Sequence, residues 1–365
     1  MRLNWVELRD FRNHAHTRID PVPDGLLVAV GPNGEGKTNL LEGMHFLYAL
    51  GSPRVSTNAP LVRVGAPAAY VRGEFETRDG KALVEIEIPT QGASKVKVNR
   101  SPVRRKRDLR RQVRAVLFGP FDLPIVIGDP SKRRAFMDEA VIALWPVKDA
   151  LFTAYDRALR QRNRLLKEWD RPGPPPGIEA WDEELIQAGC AVIRARADAV
   201  AALAPFADEE FRAIASYGLG CTYAPNLWAE DDLEGAFRAR IAERRRDELQ
   251  RRTSLVGPHR DDLTLGVRDL GARAFASYGE TWAAALCLRL GLASGVAAQI
   301  GEPPLLLIDD PFSALDPARR DHIGGRLASR GGQVLITVAD DGHVPAEATA
   351  VWDVAGGTVA RRGAG

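Results

Sequence analysis

Gly31-Pro32-Asn33-Gly34-Glu35-Gly36-Lys37-Thr38 fits the pattern G-x-x-x-x-G-K-[ST] at every fixed position. Immediately before it, Leu26 to Val30 is an unbroken apolar run, which reads as a buried strand. Immediately after it, Leu40, Leu41, Met44, Leu47 and Tyr48 recur at helical spacing through Asn39 to Leu50. Strand, glycine loop and helix in that order make a phosphate cradle. The glycines let backbone N–H groups converge on phosphate oxygens, and the helix N-terminus adds a partial positive charge. Residues Gly31, Pro32, Asn33, Gly34, Glu35, Gly36 and Asn39 would wrap the phosphates. Lys37 would reach the β and γ phosphates, and the Thr38 hydroxyl would ligate Mg²⁺. The Glu35 side chain is expected to face solvent.

Leu305-Leu306-Leu307-Ile308-Asp309-Asp310 is a second apolar run, ending in two acids. Alone it would serve equally as a solvated strand end or a helix cap. Beside a phosphate loop, Asp309 is expected to hold Mg²⁺ through water, and Asp310 to polarise the attacking water. Lys37 and Asp309 lie 272 residues apart. A site closed over that distance implies a large insertion between its halves.

The 365 residues are 45% hydrophobic and 27% charged, which suits one large or two medium folded domains and excludes a largely disordered chain. No run of about 18 apolar residues stands out, so no transmembrane helix is expected. Met1 to Asp20 lacks the apolar core of a signal peptide. Cys190, Cys221 and Cys287 are scattered, which suits reduced thiols in a cytoplasm better than a disulfide framework or a zinc site. The histidines other than His259 show no ligand spacing and read as surface or packing residues.

Net charge is +2, yet ten basic residues crowd Lys95 to Arg114 against one acid, Asp108. Lys97, Arg104, Arg105, Lys106, Arg107, Arg110 and Arg111 are the candidates there for phosphate-backbone contacts; Lys132, Arg133 and Arg134 could extend them. A solvated charged loop accounts for the same run.

Three zones are expected. Residues 1–130 carry the phosphate loop among strands, with a hairpin turn at Asp79-Gly80 between strands 71–77 and 83–88. Residues 131–254 read as a helical arm broken at Arg171-Pro-Gly-Pro-Pro-Pro-Gly177. Residues 255–365 return to alternating strand and helix. The pattern predicts an α/β fold split by a helical arm.

Phe275-Ala-Ser277-Tyr-Gly279-Glu280 before a helix, and Asp309-Asp-Pro-Phe-Ser313-Ala314-Leu315-Asp316 after the strand, resemble the signature and D-loop of ABC-type P-loop ATPase heads. The split head resembles their SMC branch. Further stretches resemble the RecF family of bacterial recombination mediators: Leu8-Arg-Asp-Phe11-Arg12-Asn13, Phe118-Gly-Pro-Phe-Asp122-Leu123, Gly128 to Asp138, and Val256-Gly-Pro-His259-Arg260-Asp261-Asp262-Leu263. The likeness covers nearly the whole chain in order.

That resemblance implies a weak DNA-dependent ATPase that uses ATP and Mg²⁺. Two heads would sandwich two ATP molecules as an ATP-dependent homodimer. Lys37, Thr38, Asp309 and Asp310 would stand on one face and Ser277 and Gly279 on the other, with Asp316 near the junction. Arg12 would add a cationic contact to phosphate, or else be a surface arginine. The implied partners are single-stranded, duplex or gapped DNA, RecO and RecR, in RecA loading, with no membrane. The stretch at His259 would couple nucleotide to arm, or else form a turn with an internal Arg–Asp pair. The signature departs from the family, which usually carries Gln where Glu280 stands and continues with Gln and Arg where Thr281 and Trp282 follow; Glu35 in the loop is also less usual than a small or neutral residue. The Glu280 carboxylate implies repulsion of phosphate and a weaker dimer.

Two alternatives stay open on the residues. An ATPase subunit driving a membrane transporter would need a histidine soon after the last core strand; Val338-Ala-Asp340 follow Thr337, and the first histidine is His343. A P-loop kinase would close its site over a much shorter gap.

Overall fold

The computed structural model describes residues 1–363 except Asp269 and Ala314. Ala314, inside the stretch ending at Asp316, therefore lies outside the described residues. The chain divides into two compact units. The first comprises Met1–Leu123, Phe206–Gly218 and the chain from Ala276 on; the second comprises Pro124–Pro205 and Leu219–Phe275. Residues 255–275, which the sequence groups with the last zone, thus belong to the second unit. The reason is pairing: strand Asp262–Val267 runs antiparallel to Leu219–Ala224, with Leu265 opposite Cys221.

In the first unit, one six-stranded sheet has the order Thr358–Arg361, Ala350–Ala355, Gly25–Val30, Gln333–Val338, Leu305–Ile308, Ala115–Phe118. All its neighbours are parallel except the edge strand Thr358–Arg361. The central strands are apolar throughout because both faces are covered. Gln333 and Thr337 are the polar exceptions; the Gln333 amide is satisfied by Leu3, Val22 and Pro23 of the main chain. Parallel pairing brings the C-terminal ends of Gly25–Val30 and Leu305–Ile308 to one edge, with a single strand between them. This register, not proximity in sequence, closes the 272-residue gap.

The second sheet of this unit is antiparallel, in the order His14–Ile19, Arg2–Phe11, Ala68–Thr77, Gly80–Pro89, Lys95–Val98, Ser101–Pro102. The hairpin expected at Asp79-Gly80 turns through Arg78 and Asp79, and Gly80 pairs with Thr77. Helix Lys37–Ala49 buries Leu40, Leu41, Met44, Phe46 and Leu47.

Helix Tyr278–Ile300 corrects one expectation. It is long and apolar enough, by length and composition, to cross a membrane. It is instead a core helix of the first unit, buried from Glu280 to Ala293 and packed on strand Ala115–Phe118. Trp282 meets Phe118 edge-on at 5.4 Å, and Arg289 donates to Asp122 at 2.7 Å. A buried cation held by a buried carboxylate marks protein interior rather than lipid surroundings.

The second unit is mainly helical: Pro130–Leu144, Asp149–Glu168, the greater part of Ile178–Ile214, and Leu233–Arg251. Tyr155, Leu185, Ile186, Ile193, Phe237 and Ile241 form its core. The stretch at His259 is a hub of this unit. Asp261, fully buried, accepts from Arg196 and from the Asn226 backbone, and Asp262 pairs with Arg133. The Arg–Asp pairs thus run to other elements and not within the turn. His259 bonds the Tyr155 hydroxyl at 2.6 Å and the Ser254 carbonyl at 3.1 Å, and burial pushes its pKa down to about 4. Because the unfolded chain takes up that proton near pH 6.5, stability should fall as pH drops from 6.5 toward 4. The loss should reach about 3 kcal/mol from this group. Urea midpoints across that range should flatten in His259→Gln.

Candidate nucleotide-binding site

The glycine loop follows strand Gly25–Val30 and opens helix Lys37–Ala49, as its pattern predicts. Two glycines are required by their surroundings. A Cβ on Gly31 would lie 2.2 Å from the Val354 carbonyl oxygen, and one on Gly36 would lie 2.7 Å from the Asn13 side-chain amide, at φ +114°. The helix N-terminus carries no side-chain cap and no acid in its first turn. Its leading N–H groups and positive dipole end are left to the loop.

Lys37 is 7% exposed and donates to the Gly31 and Pro32 carbonyls. Burial pushes its pKa down, against the pull of Asp309, Asp310 and Glu35. Thr38 Oγ1 donates to the Asp309 carboxylate, at 3.0 Å to Oδ1 and 2.8 Å to Oδ2. Thr337 Oγ1 donates to Asp309 Oδ1 at 2.7 Å and accepts from the Asp310 backbone N–H at 2.9 Å. One threonine on the intervening strand therefore orients both acids. Sequence reasoning passed over it, because nothing local distinguishes a polar residue near the end of an apolar strand. Asp310 has φ +51°; its carboxyl pKa is raised by burial and then by the Asp309 charge.

A polar network braces the loop from outside. Asn13 donates to the Glu35 carbonyl, Asn39 donates to Asn13, and Arg54 donates to Asn39 and Glu42. Arg12 belongs to this network. Its Nε and Nη2 donate to Glu42 at 2.9 and 2.8 Å, and its Nη1 to the Pro60 carbonyl. Its guanidinium thus faces a carboxylate. His14, expected to be a packing residue, is fully buried, and its ring bonds the carbonyls of Gly36 and Gly357. Glu35 does not point freely into solvent: its carboxylate accepts from Gly356 N–H, and its carbonyl from Gly357 N–H.

Ser277 is the N-cap of helix Tyr278–Ile300, and Gly279 stands in that helix's first turn. Glu280 is 9% exposed. It completes a capping box, accepting from Ser277 N–H at 2.8 Å while Ser277 Oγ accepts from Glu280 N–H. Tyr217 also donates its hydroxyl to this carboxylate. The pattern Ser-x-x-Glu signals such a box in sequence, beside the repulsion of phosphate that the family resemblance implies. Glu280→Ala should cost about 1–3 kcal/mol by stranding these donors, and Glu280→Gln, which keeps one acceptor, clearly less. Urea unfolding of the two variants measures the difference. Asp316 caps helix Pro317–Ser329 through the Arg319 N–H.

The basic run separates into two groups. Lys106 and Arg110 donate to the Leu50 and Ala49 carbonyls at the C-terminus of helix Lys37–Ala49. Lys97, Arg104, Arg105 and Arg111 are exposed, and Arg107 is half-buried. The second-unit cations counted with them are partly committed: Arg133 is buried against Asp262, and Arg134 donates to the Asp261 carbonyl.

The RecF/RecN/SMC N-terminal domain family matches residues 2–355. The DNA replication and repair protein RecF of Streptomyces avermitilis is 39% identical over 375 residues, covering 99% of this chain and 100% of that protein. The protein of the same name from Frankia alni is 40% identical, over 99% of this chain and 100% of its own length. Among solved structures, a recombination mediator protein RecF–ATP of the RecFOR pathway is 26% identical, with a TM-score of 0.89 over 99% of this chain and 98% of that one. A Smc head domain from Pyrococcus furiosus shares the fold at 16% identity and a TM-score of 0.58, over 99% of this chain and 96% of its own. An end-to-end match at this identity, on an SMC-like ATPase head whose phosphate loop meets its acidic strand, places the chain in the RecF family of DNA replication and repair proteins.

Proposed function

We propose that the protein is an ATP-gated DNA-binding mediator of recombinational repair, acting in the cytoplasm as an ATP-dependent homodimer. The observation that carries this reading is the bond from Thr38 to Asp309, which unites residues 271 apart into one half-site. The donor set fits a nucleoside triphosphate. Loop N–H groups and the Lys37 ammonium would hold its phosphates, and the Thr38 hydroxyl and Asp309 carboxylate supply hard oxygen ligands for Mg²⁺. Bound Mg²⁺ would neutralise charge on the phosphates. Asp310 is the proton acceptor for the attacking water. Ser277 and Gly279 are offered across the dimer to the partner's nucleotide, and Asp316 stands at the junction. Arg12 is a positioning residue that holds Glu42 and, through Arg54 and Asn39, the loop.

ATP thereby closes the dimer by mass action, and slow hydrolysis, stimulated by DNA, reopens it. Lys97, Arg104, Arg105, Arg107 and Arg111 contact backbone phosphates without reading sequence, with Lys106 and Arg110 behind them. RecO and RecR are the protein partners, and RecA loading the outcome. The relatives reported above do not favour a transporter subunit. Sedimentation of the wild type and of Lys37→Ala, with and without ATP and a gapped duplex, tests the reading. The wild type should form an ATP-dependent dimer on DNA, and Lys37→Ala should not. A wild type that stays monomeric with ATP refutes the dimer.

A further inference from the structure

Helix Leu233–Arg251 of the second unit carries a basic stripe along the flank of its buried side. Phe237, Ile241 and Glu248 point into the core. Arg240, Arg244, Asp247 and Arg251 follow the spacing i, i+4, i+7, i+11 and line one side of a cavity of about 410 Å³. Arg260, from the stretch at His259, lines it from another side, with Asn226, Leu255 and Val256. The charge is lopsided: four guanidiniums against the one carboxylate of Asp247. Arg244 pairs with Asp247 at 3.2 Å, and Arg240 pairs with Glu243 at 2.6 Å. Both pairs are solvated and worth little. Arg251 is exposed and has no ion pair among the described residues. The Asn226 side-chain oxygen is engaged by Gly257 N–H, which leaves its NH₂ as a neutral donor at the cavity.

We propose that this groove seats a sugar-phosphate segment of a nucleic-acid strand, as a second contact surface distinct from the basic run of the first unit. The proposal rests on the DNA reading above and extends it to the second unit. Guanidinium forks match phosphate oxygens in bidentate geometry. From Arg240 to Arg251 the stripe is about 16 Å long, several phosphate spacings of one strand. An acidic peptide would be a poorer occupant, because protein partners are held by buried apolar anchors, and only Leu255 and Val256 are apolar here. Two residues beyond Asn226, Trp228 keeps 50% of its surface open. It offers the aromatic face on which an unpaired base stacks.

The test is fluorescence anisotropy of the full chain, with ATP and Mg²⁺ present, on a labelled oligothymidylate at several salt concentrations. For Arg244→Ala/Arg251→Ala/Arg260→Ala, the slope of log affinity against log salt should shrink by about 2, near 0.7 per lost phosphate contact. Arg104→Ala/Arg105→Ala should shrink it separately, and the two effects should add. A triple variant with the wild-type slope, in a protein that still binds DNA, overturns this site and leaves the DNA reading standing. Failure of the wild type to bind any strand overturns both. If the triple variant does not fold, Arg251→Ala alone carries the test, since that side chain is exposed and unpaired; a slope loss of about 0.7 is expected, and no change refutes the site. Loss of polyglutamate binding with strand binding intact would assign the groove to an acidic protein and refute the proposal.

Discussion

Asp310→Asn is expected to slow ATP hydrolysis by about 10²- to 10⁴-fold, the usual contribution of a positioned proton acceptor, while ATP-dependent dimerisation survives. The substitution is mild in structure. Asp310 sits at φ +51°, a conformation that asparagine tolerates and alanine does not, and the backbone N–H given to Thr337 is untouched. What is lost is the capacity to take a proton. Burial and the neighbouring Asp309 raise this carboxyl above the ordinary 3.8. Wild-type hydrolysis should therefore fall as pH drops through that raised value, where Asp310 becomes protonated. The asparagine variant should lack this limb. Lys37→Ala should behave differently, losing the dimer as well as turnover, because it removes phosphate binding itself. An Asp310→Asn enzyme that hydrolyses ATP at the wild-type rate would reassign the acceptor. One that no longer dimerises with ATP would make Asp310 a binding group.

The part of this site that sequence makes visible is the part whose chemistry demands adjacent residues. Gly31 to Thr38 must be contiguous to curl around phosphate, and Leu305 to Asp310 must be apolar and then acidic to end a buried strand at the site. The rest depends on partners that lie far away in the chain. Thr337 orients Asp309 and Asp310 only because its strand lies between theirs, and that order is a property of the sheet. Charge misleads for the same reason. Lys106, Arg110 and Arg133 count as free cations in a composition, yet each is tied to a carbonyl or a carboxylate in the fold. In sequence Glu280 reads as a charge beside phosphate; the fold adds the donors Ser277 N–H and the Tyr217 hydroxyl, which lie 3 and 63 residues away. Conversely, Arg240, Arg244 and Arg251 are scattered in sequence among acids and become one stripe only on a helix face.

The largest effect on stability should come from Arg162, in the middle of helix Asp149–Glu168. Its side chain is fully buried, and all three guanidinium nitrogens are used. Nε donates to Asp182 at 2.8 Å, Nη1 to Ser254 Oγ at 2.7 Å and Nη2 to Glu248 at 2.5 Å. Glu248 is itself fully buried, and its other oxygen accepts from Leu255 N–H. Arg162→Met keeps the aliphatic stem but strands the Glu248 carboxylate in the core of the second unit. Removing one partner of a buried pair costs about 3–5 kcal/mol, so the urea midpoint should fall sharply. Asp182 suffers less, since Arg245 remains beside it. The double variant Arg162→Met/Glu248→Met removes both charges and should recover most of the loss, because apolar replacements of buried ion pairs are often neutral or better. The residual deficit then measures what Ser254 and Leu255 lose as hydrogen-bond partners. A double variant as unstable as Arg162→Met would show that the triad's geometry, and not an uncompensated charge, is what the helices of this unit require.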